Sequence, residues 1–513
     1  MKLFLALLMA LQLLLQPLIG LADTPLASRS YTYDLWRDVV PCPDPYTLSL
    51  RKTGQDLGVG ELNNLNDLFL CPDGTIYIAV SGVEEKDNFI LHLDGQLNLL
   101  SCLRGYNDQA GAFVPFKRPM GVFFNTDKTL YVADALSKQI IQMDEGGHAI
   151  RILEAPTKES SQGLVDEAFT ARYTPAHLVV DPTGRTHVVA VNVNEGIVEF
   201  DQNGVFTGFL AAGKVQYNAM ELFWRRISTD EQLKRMNDFV PVEYNNIALD
   251  EEGFLFVTLA PSDLAQVEAE LQGGAGTEQG ALVRRLNMLG ADILDRNGYG
   301  PPSGDMDIFD VSPDAGYTGV SKIVDVACGD NGSFALLDNN RKHIFVYNEE
   351  GYLLYAFSGP DVTAGGLRTP SSIDMRGEWL YVLDAGANAI LAFRQTAFGR
   401  AVNQALAAEK AGEFEASRAH WQKVMQMHGG YDLAWRGLGK AAYQQKDYAA
   451  ALDYFEACGD QAWYSKAYLQ LRKAFIAQYT APFLGAMLGL AALGLGWKTL
   501  SHFRRKRKAV SKP

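Results

Sequence analysis

The stretch that decides the fold runs from Arg118 to Ile150 and reads RPMGVFFNTDKTLYVADALSKQIIQMDEGGHAI. It predicts short β-strands at 121–124, 129–133 and 139–143, because each segment is rich in β-branched or aromatic residues and is bounded by turn residues. A further turn at 144–147 leads into a fourth strand. One four-stranded sheet leaves both of its faces uncovered, so the sequence should contain further copies of it.

The sequence contains five further copies of this unit. They are aligned on the residue that lies three positions after the glycine, or the residue in its place, in the turn between the first and second strands. Successive copies lie 54, 56, 69, 79 and 46 residues apart, so the strands are periodic while the connections vary in length. Six units of about four strands each predict a six-bladed β-propeller, a mainly β fold. The aligned residues are Tyr77, Tyr131, His187, Phe256, Ala335 and Tyr381.

The repeats resemble those of NHL-repeat β-propellers. The resemblance rests on Pro119-x-Gly121 and on the segments 130–134 and 380–384, each followed by an isoleucine at a fixed distance. It implies the propeller fold over roughly residues 46–395, and it says little about activity because propellers carry many unrelated functions. The aspartate of the pattern is present as Asp134, Asp338 and Asp384, whereas the other three repeats have Val80, Ala190 and Leu259.

Both ends of the chain indicate a membrane protein. Residues 1–22 are typical of a secretory signal peptide, and an uncleaved anchor helix is the alternative. Residues 476–497 predict one transmembrane helix; a buried soluble helix is the alternative, although four glycines would weaken it. The basic tail at 498–513 predicts a cytoplasmic C-terminus, hence a single-pass type I protein of the cell membrane whose preceding domains are extracytoplasmic.

The charge of the extracytoplasmic part limits its partners. The whole chain carries a net charge of −14, and without Lys2 and the seven basic residues of 498–513 the remainder carries −22. A surface this acidic repels the phosphates of nucleic acids and of anionic lipids, so we expect no nucleic-acid partner. Small neutral or cationic ligands, metal ions and protein partners remain compatible with it.

The segments around the propeller have separate predicted roles. Residues 23–45 form an extended lead-in along the outside of the propeller, because Pro41, Pro43 and Pro45 disfavour a strand ladder. The propeller spans 46–396, and Tyr46–Lys52 supplies the fourth strand that blade 6 lacks. Residues 397–475 form a helical stalk that resembles tetratricopeptide repeats, with a 34-residue period that relates Phe414 to Tyr448.

The connections between strands predict two unlike rims. One rim has only tight turns, such as 72–74, 94–95, 182–184 and 251–253. The opposite rim, here called the long-loop rim, has the connections 103–118, 153–174, 213–241, 260–280 and 295–320. Capping patterns predict helices within 213–241 and at 262–272. Long loops on a rigid scaffold are usually binding elements, so this rim is the predicted binding face.

The first residues of the six innermost strands are predicted to form a ring around the central channel at the long-loop rim. By alignment the ring consists of Asp67, Gly121, His177, Asn246, Asp325 and Ser372. Asp67, His177, Asn246 and Asp325 could hold Ca²⁺ or another divalent cation, since such oxygen and nitrogen ligands suit a metal ion. In geometry and residue type this ring resembles the metal site of gluconolactonase/regucalcin-type propellers. A polar channel lining bonded to water is the alternative.

The sequence favours a binding module over an enzyme. No GxSxG, HExxH or phosphate-binding loop motif is present, and no catalytic residue is identified. We therefore expect a membrane-anchored propeller that binds a ligand or a protein partner through the long-loop rim, with Asp67, His177, Asn246, Asp325 and Ser372 contacting the ligand. A metal-dependent hydrolase of the gluconolactonase/regucalcin type is the alternative.

Overall fold

Six antiparallel sheets of three to six described strands form the blades of a six-bladed β-propeller, and two further sheets have two strands each. The computed structural model describes residues 30–211, 243–259, 281–305, 311–312, 317–360 and 365–510. The chain has two compact units, residues 1–406 with the propeller and residues 407–513 with helices. The predicted fold class, a propeller followed by helices, is confirmed.

The strands follow one another along each blade from the channel outward. Before blade 1 come β1 (Tyr31–Tyr33), β2 (Val39–Pro41) and β3 (Tyr46–Thr53). Blades 1 and 2, with a small hairpin between them, contain β4 (Asn64–Leu70), β5 (Ile76–Ser81), β6 (Phe89–Leu93), β7 (Leu99–Leu103), β8 (Gly105–Asn107), β9 (Phe113–Pro115), β10 (Pro119–Phe124), β11 (Leu130–Asp134), β12 (Gln139–Met143) and β13 (Ala149–Glu154).

Blade 4 has three described strands, whereas blade 3 has four. Blades 3 and 4 contain β14 (Thr174–Val180), β15 (Thr186–Val191), β16 (Ile197–Phe200), β17 (Phe206–Leu210), β18 (Tyr244–Leu249), β19 (Leu255–Leu259) and β20 (Val283–Leu286). After a short pair, blades 5 and 6 follow with β21 (Val311–Ser312), β22 (Tyr317–Thr318), β23 (Ile323–Cys328), β24 (Phe334–Asp338), β25 (His343–Tyr347), β26 (Leu353–Ser358), β27 (Pro370–Arg376), β28 (Trp379–Asp384) and β29 (Ala389–Gln395).

The hydrophobic core consists of layers between neighbouring blades. Ile78 and Val80 of blade 1 pack in one cluster with Tyr381 and Leu383 of blade 6. Similar clusters lie between blades 1 and 2, across blades 2 to 4, and between blades 4 and 5. Because both faces of a blade are covered in this way, the inner strands are apolar throughout; every residue of β5 is buried.

The ring is closed by a strand from the start of the propeller. Strand β3 pairs antiparallel with β29, with Tyr46 opposite Gln395 and Thr53 opposite Ala389. The outer strand of blade 6 thus comes from the other end of the domain, and the prediction that Tyr46–Lys52 supplies it is confirmed. This pairing covers two strand edges that would otherwise be open.

The lead-in forms more regular structure than its prolines suggest. Strands β1 and β2 make a hairpin with Tyr31 opposite Pro41, and β1 also pairs with β26 at the outside of blade 5. The hydroxyl of Thr32 donates a hydrogen bond of 2.8 Å to the backbone oxygen of Leu353. The prediction of an extended segment without a ladder is therefore wrong for 31–41, because Pro41 ends an edge strand, where a missing N–H is tolerated.

The aspartate of the NHL-like pattern fixes the entry into its own blade. In blade 2, the two carboxylate oxygens of Asp134 accept the backbone N–H groups of Lys117 and Arg118, both at 2.8 Å. Asp384 holds the two residues that precede blade 6 in the same way. Both aspartates are buried, so the pattern reflects a structural hydrogen bond and not a binding function.

The long-loop rim carries local structure where it is described. The connection 103–118 contains the β8–β9 hairpin, and 153–174 contains helix α1 (Glu167–Arg172), which Asp166 caps by accepting the N–H of Phe169. The helices predicted within 213–241 and at 262–272 lie outside the described residues. On the opposite rim the predicted tight turns are present, each closed by an aspartate or asparagine side chain.

Five helices follow the propeller, with small residues where they cross. They are α2 (Ala397–Lys410), α3 (Phe414–Met427), α4 (Asp432–Gln444), α5 (Tyr448–Ala457) and α6 (Gln461–Val510). Helices α3 and α5 begin 34 residues apart, as the sequence period predicts. A Cβ on Gly437 would lie 2.2 Å from the indole nitrogen of Trp421, and one on Gly439 would lie 2.5 Å from the ring of Phe455. These two glycines therefore allow α4 to pack closely on both of its neighbours.

Helix α6 is long and apolar enough to cross a membrane. Its 50 residues extend about 75 Å, and residues 474–497 contain no charged side chain over about 36 Å, which exceeds a hydrocarbon core of about 30 Å. The apolar side chains in this stretch are exposed, for example Leu488 and Trp497. The helix begins at Gln461, so the end of the predicted stalk, the predicted span and most of the tail are one continuous element.

Two truncations test the closure by β3. Deleting residues 23–53 should lower the melting temperature of the propeller far more than deleting 23–45, because only the first deletion removes the seven pairings between β3 and β29. Calorimetry on the two truncated chains should show a single cooperative transition that moves strongly in the longer deletion. Equal melting of the two chains would show that blade 6 does not depend on β3.

Candidate functional site

All six innermost strands carry a β-bulge at the same place. The strand register shifts directly before Asp67, Gly121, His177, Asn246, Asp325 and Ser372. These are the six residues that the sequence aligns as the channel ring. A bulge re-aims the side chains beside it, so the predicted ring positions are structurally equivalent in every blade.

The ring side chains join neighbouring blades through backbone amides. Oδ2 of Asp67 in blade 1 accepts the N–H of Val122 in blade 2 at 3.0 Å, and Oδ2 of Asp325 in blade 5 accepts that of Ile373 in blade 6 at 2.7 Å. The hydroxyl oxygen of Ser372 accepts the N–H of Leu68 at 3.2 Å. In each case the donor is one residue after the ring position of the next blade.

A second acceptor, which the sequence analysis missed, lies two residues after Ser372 on the same face of the strand. Oδ2 of Asp374 accepts the N–H of Leu70 at 2.8 Å, and Oδ1 accepts the N–H of Met375 at 2.8 Å. The junction between blades 6 and 1 therefore has two acceptors in successive layers. Because side chains alternate along a strand, the sequence could have indicated that Asp374 lies on the same face as Ser372.

Blades 1 and 4 use the bulged asparagine for a further bond between blades. The amide nitrogen of Asn66 donates to the backbone oxygen of Pro119 in blade 2 at 2.8 Å, and that of Asn245 donates to Ile323 in blade 5 at 2.9 Å. Both blades lack the aspartate of the NHL-like pattern. These asparagines were also missed, because the sequence alone does not show which residue of a strand is bulged.

His177 reaches Asp67 across blade 2. Its Nδ1 lies 3.6 Å from Oδ1 of Asp67, although the two residues belong to blades 3 and 1. Gly121 occupies the ring position between them, and a Cβ there would lie 2.2 Å from the backbone oxygen of Ala176. Glycine thus permits the close approach of blade 3 to blade 2 that accompanies the His177–Asp67 pair.

Asn246 completes the part of the ring contributed by blade 4. Its side-chain nitrogen lies 3.5 Å from the backbone oxygen of Val324 in blade 5, and its side-chain oxygen accepts the N–H of Ile247. Asn246 and Ser372 are buried, and so are Asp67 and Asp325. The structure therefore brings Asp67, His177 and Ser372 into direct proximity, while Asn246 and Asp325 bond mainly to the backbone.

The pKa values of two ring residues, Asp325 and His177, are raised, but by different causes. Burial, with the charge of Asp67, raises the pKa of Asp325 to about 7. Burial disfavours the charged form of His177, but the negative charges of Asp67 and Asp325 outweigh it and raise the pKa of the imidazole. Burial also raises the pKa of Asp374 to about 7.

The carboxylate oxygens of the ring are directed at protein groups. Both oxygens of Asp325 accept backbone N–H groups at 2.7 Å, and Oδ1 of Asp67 accepts the hydroxyl of Ser372 at 3.3 Å. Within the described ranges, no group of three His, Cys, Asp or Glu side chains is arranged to hold a metal ion. The predicted divalent-cation site at Asp67, His177, Asn246 and Asp325 stays a prediction.

Some connections on the long-loop rim of blades 1 to 3 expose large apolar side chains. Val83 is 99% exposed and Leu136 62%, and Leu164 and Val191 are exposed as well. On the opposite rim of the same blades each of the six turns contains an aspartate: Asp73, Asp94, Asp127, Asp144, Asp181 and Asp201. An aspartate is thus common to every turn of one rim of these blades, whereas connections of the other rim expose the apolar side chains named above.

No protein-family model and no curated protein matches the chain. Among solved structures, selenomethionine-substituted virginiamycin B lyase from Staphylococcus aureus is similar at a TM-score of 0.38 and 11% identity, covering 68% of this chain and all of that one. A protein of unknown function from Bacteroides thetaiotaomicron has a TM-score of 0.38 and 10% identity, over 65% of this chain and 70% of that chain. The β-propeller domain of Myceliophteria thermophila Cps50 (Swd1) has a TM-score of 0.37 and 10% identity, over 69% and 100%. Similarity this low supports no argument about function.

The raised pKa of Asp325 predicts how stability depends on pH. The folded state holds a proton up to about pH 7, whereas an unfolded aspartate releases it near pH 3.9. This contribution to stability is complete below the unfolded pKa and is lost as the pH rises through 7, so melting temperatures should fall between pH 5 and 8. Asp325→Asn should flatten this dependence.

Asp201→Asn provides the control for that measurement, because hydrogen bonds in its turn lower the pKa of Asp201 and remove it from the pH window. The substitution at Asp325 should also lower the melting temperature at every pH. Two backbone N–H groups each need an acceptor here, and the asparagine side chain has only one acceptor oxygen. An unchanged slope between pH 5 and 8 in Asp325→Asn would contradict the assignment.

Proposed function

We propose that this protein is a membrane-anchored extracytoplasmic binding module that captures a ligand or protein partner on the long-loop rim. The observation that carries the proposal is the contrast between the rims of blades 1 to 3. Val83, Leu136 and Leu164 are exposed apolar side chains in connections of the long-loop rim, whereas all six turns of the opposite rim of these blades contain an aspartate. Exposed apolar side chains on the loop face of a rigid scaffold are typical of recognition surfaces.

The ends of the chain support the anchored part of the proposal. The apolar start resembles a signal peptide, and helix α6 is long and apolar enough to span a bilayer. Six of the seven basic residues of 498–513 lie within the last turns of α6 or beyond them, after the uncharged stretch ends at Trp497. By the positive-inside rule the tail is cytoplasmic and the preceding domains lie outside.

The repeat families form the finer part of the proposal. We infer NHL-like repeats in the propeller, because Asp134, Asp338 and Asp384 occupy one equivalent position at the end of the second strand. We also infer a tetratricopeptide-like stalk from the 34-residue offset of α3 and α5 and from the packing of Gly439 on Phe455. Two such units favour a stalk over a peptide-binding solenoid.

A metal-dependent hydrolase of the gluconolactonase/regucalcin type is the second candidate. The observation in its favour is the meeting of Asp67 and His177 at the channel mouth, with Asp325 near enough to affect the pKa of His177. Hydrolysis of a lactone that depends on added Ca²⁺ would support it.

Site-specific photo-cross-linking in intact cells tests the binding face. A benzophenone side chain introduced at Leu136 on the long-loop rim should form an adduct with the bound molecule, and the mass of the adduct distinguishes a protein partner from a small ligand. The matched control carries the same side chain at Gln96, in an acidic turn of the opposite rim. Equal adducts at both positions, or adducts at Gln96 alone, would overturn the proposal.

A further inference from the structure

Asp67 is held rigidly by groups from two other blades. Its Oδ2 accepts the N–H of Val122, and its Oδ1 accepts the hydroxyl of Ser372, which in turn accepts the N–H of Leu68. A carboxylate fixed on both oxygens cannot rotate away to meet a ligand. Asp67 therefore acts as a positioning residue for the side chain that lies next to it.

That neighbour is His177, whose two ring nitrogens have different surroundings. Nδ1 is buried and forms no hydrogen bond to the described residues, and it lies within ion-pair distance of Asp67, 3.6 Å from Oδ1. Because the nitrogens lie on different edges of the imidazole, Nε2 is directed away from this carboxylate. Within the part of the chain that the structure describes, Nε2 forms no hydrogen bond, and the side chain is 13% exposed. It is thus a positioned polar group at the channel mouth whose hydrogen-bonding capacity is unused.

The charges around His177 select the kind of ligand. Asp67 lies 3.6 Å from the imidazole, and the surrounding domain is strongly acidic. The negative charge of the domain repels an anionic ligand, whereas it does not repel an uncharged oxygen.

From this geometry we propose that the channel mouth binds an uncharged polyhydroxylated molecule, such as a sugar, through a hydrogen bond between its oxygen and Nε2 of His177. This inference rests on the proposed function, because it names the ligand class of the same rim. Asp67 lies within ion-pair distance of the imidazole and attracts it, and His177 makes the contact with the ligand. Loss of this contact should weaken binding by about tenfold, as expected for a hydrogen bond to a charged or polarised partner.

Nuclear magnetic resonance of histidine side chains in the full-length protein tests the proposal with three probes that share one carbon skeleton. They are glucose, which is neutral, gluconate, which is anionic, and glucosamine, which is cationic. Glucose should shift the Nε2 resonance of His177 saturably, and gluconate at the same concentration should not. The resonance of His187 is the internal control, because this histidine is fully buried beside Asp181.

The outcomes separate the ligand class from the binding function. A gluconate shift equal to that of glucose, a shift with glucosamine alone, or no shift of His177 with any probe would overturn the sugar assignment. If adducts at Leu136 persist in that case, only the ligand class is wrong; if they are absent as well, the binding function is wrong. His177→Gln should weaken glucose binding while keeping the melting temperature close to that of the parent, and unchanged binding by this variant would also refute the contact.

Discussion

The innermost strand of each blade has one edge that faces the channel, where no further strand can accept its backbone N–H groups. A buried N–H without an acceptor costs about 1–3 kcal/mol. At three of the six junctions between blades, side chains of the preceding blade accept these N–H groups: Asp67 between blades 1 and 2, Asp325 between blades 5 and 6, and Ser372 and Asp374 between blades 6 and 1. Because every one of these bonds crosses from one blade to the next, the same groups that satisfy the edges also hold the blades together.

This constraint explains why the ring positions look like a binding site in the sequence. Five of the six residues are polar and converge on one channel, as the ligands of a metal or a substrate would. The structure shows that most of their hydrogen-bonding capacity is used between blades. His177 differs, since neither of its ring nitrogens forms a hydrogen bond to a described residue, although Nδ1 lies 3.6 Å from Asp67. It is the ring residue to which we assign the ligand contact.

Local pattern and spacing sufficed to predict the six blades, the closing strand and the equivalence of the ring residues. Each of these features repeats along the chain, and strand alternation fixes which face a residue occupies. The His177–Asp67 contact could not be predicted, because it depends on Gly121 admitting the backbone of blade 3 to within contact distance of blade 2. The hairpin at 31–41 was missed because prolines disfavour strands in general. The sequence does not show that this strand lies at the edge of a sheet, where a proline is tolerated. Asn66 and Asn245 were missed because a bulge leaves no mark in the composition of a strand.

The central claim is that ring carboxylates connect neighbouring blades through backbone amides. Hydrogen exchange at the amide of Val122, compared between the parent protein and Asp67→Ala, tests this claim most directly. The account predicts much faster exchange at Val122 in the variant, while Val132, which lies within the sheet of the same blade, keeps its protection. Unchanged protection of Val122, or equal loss of protection at both amides, would contradict it.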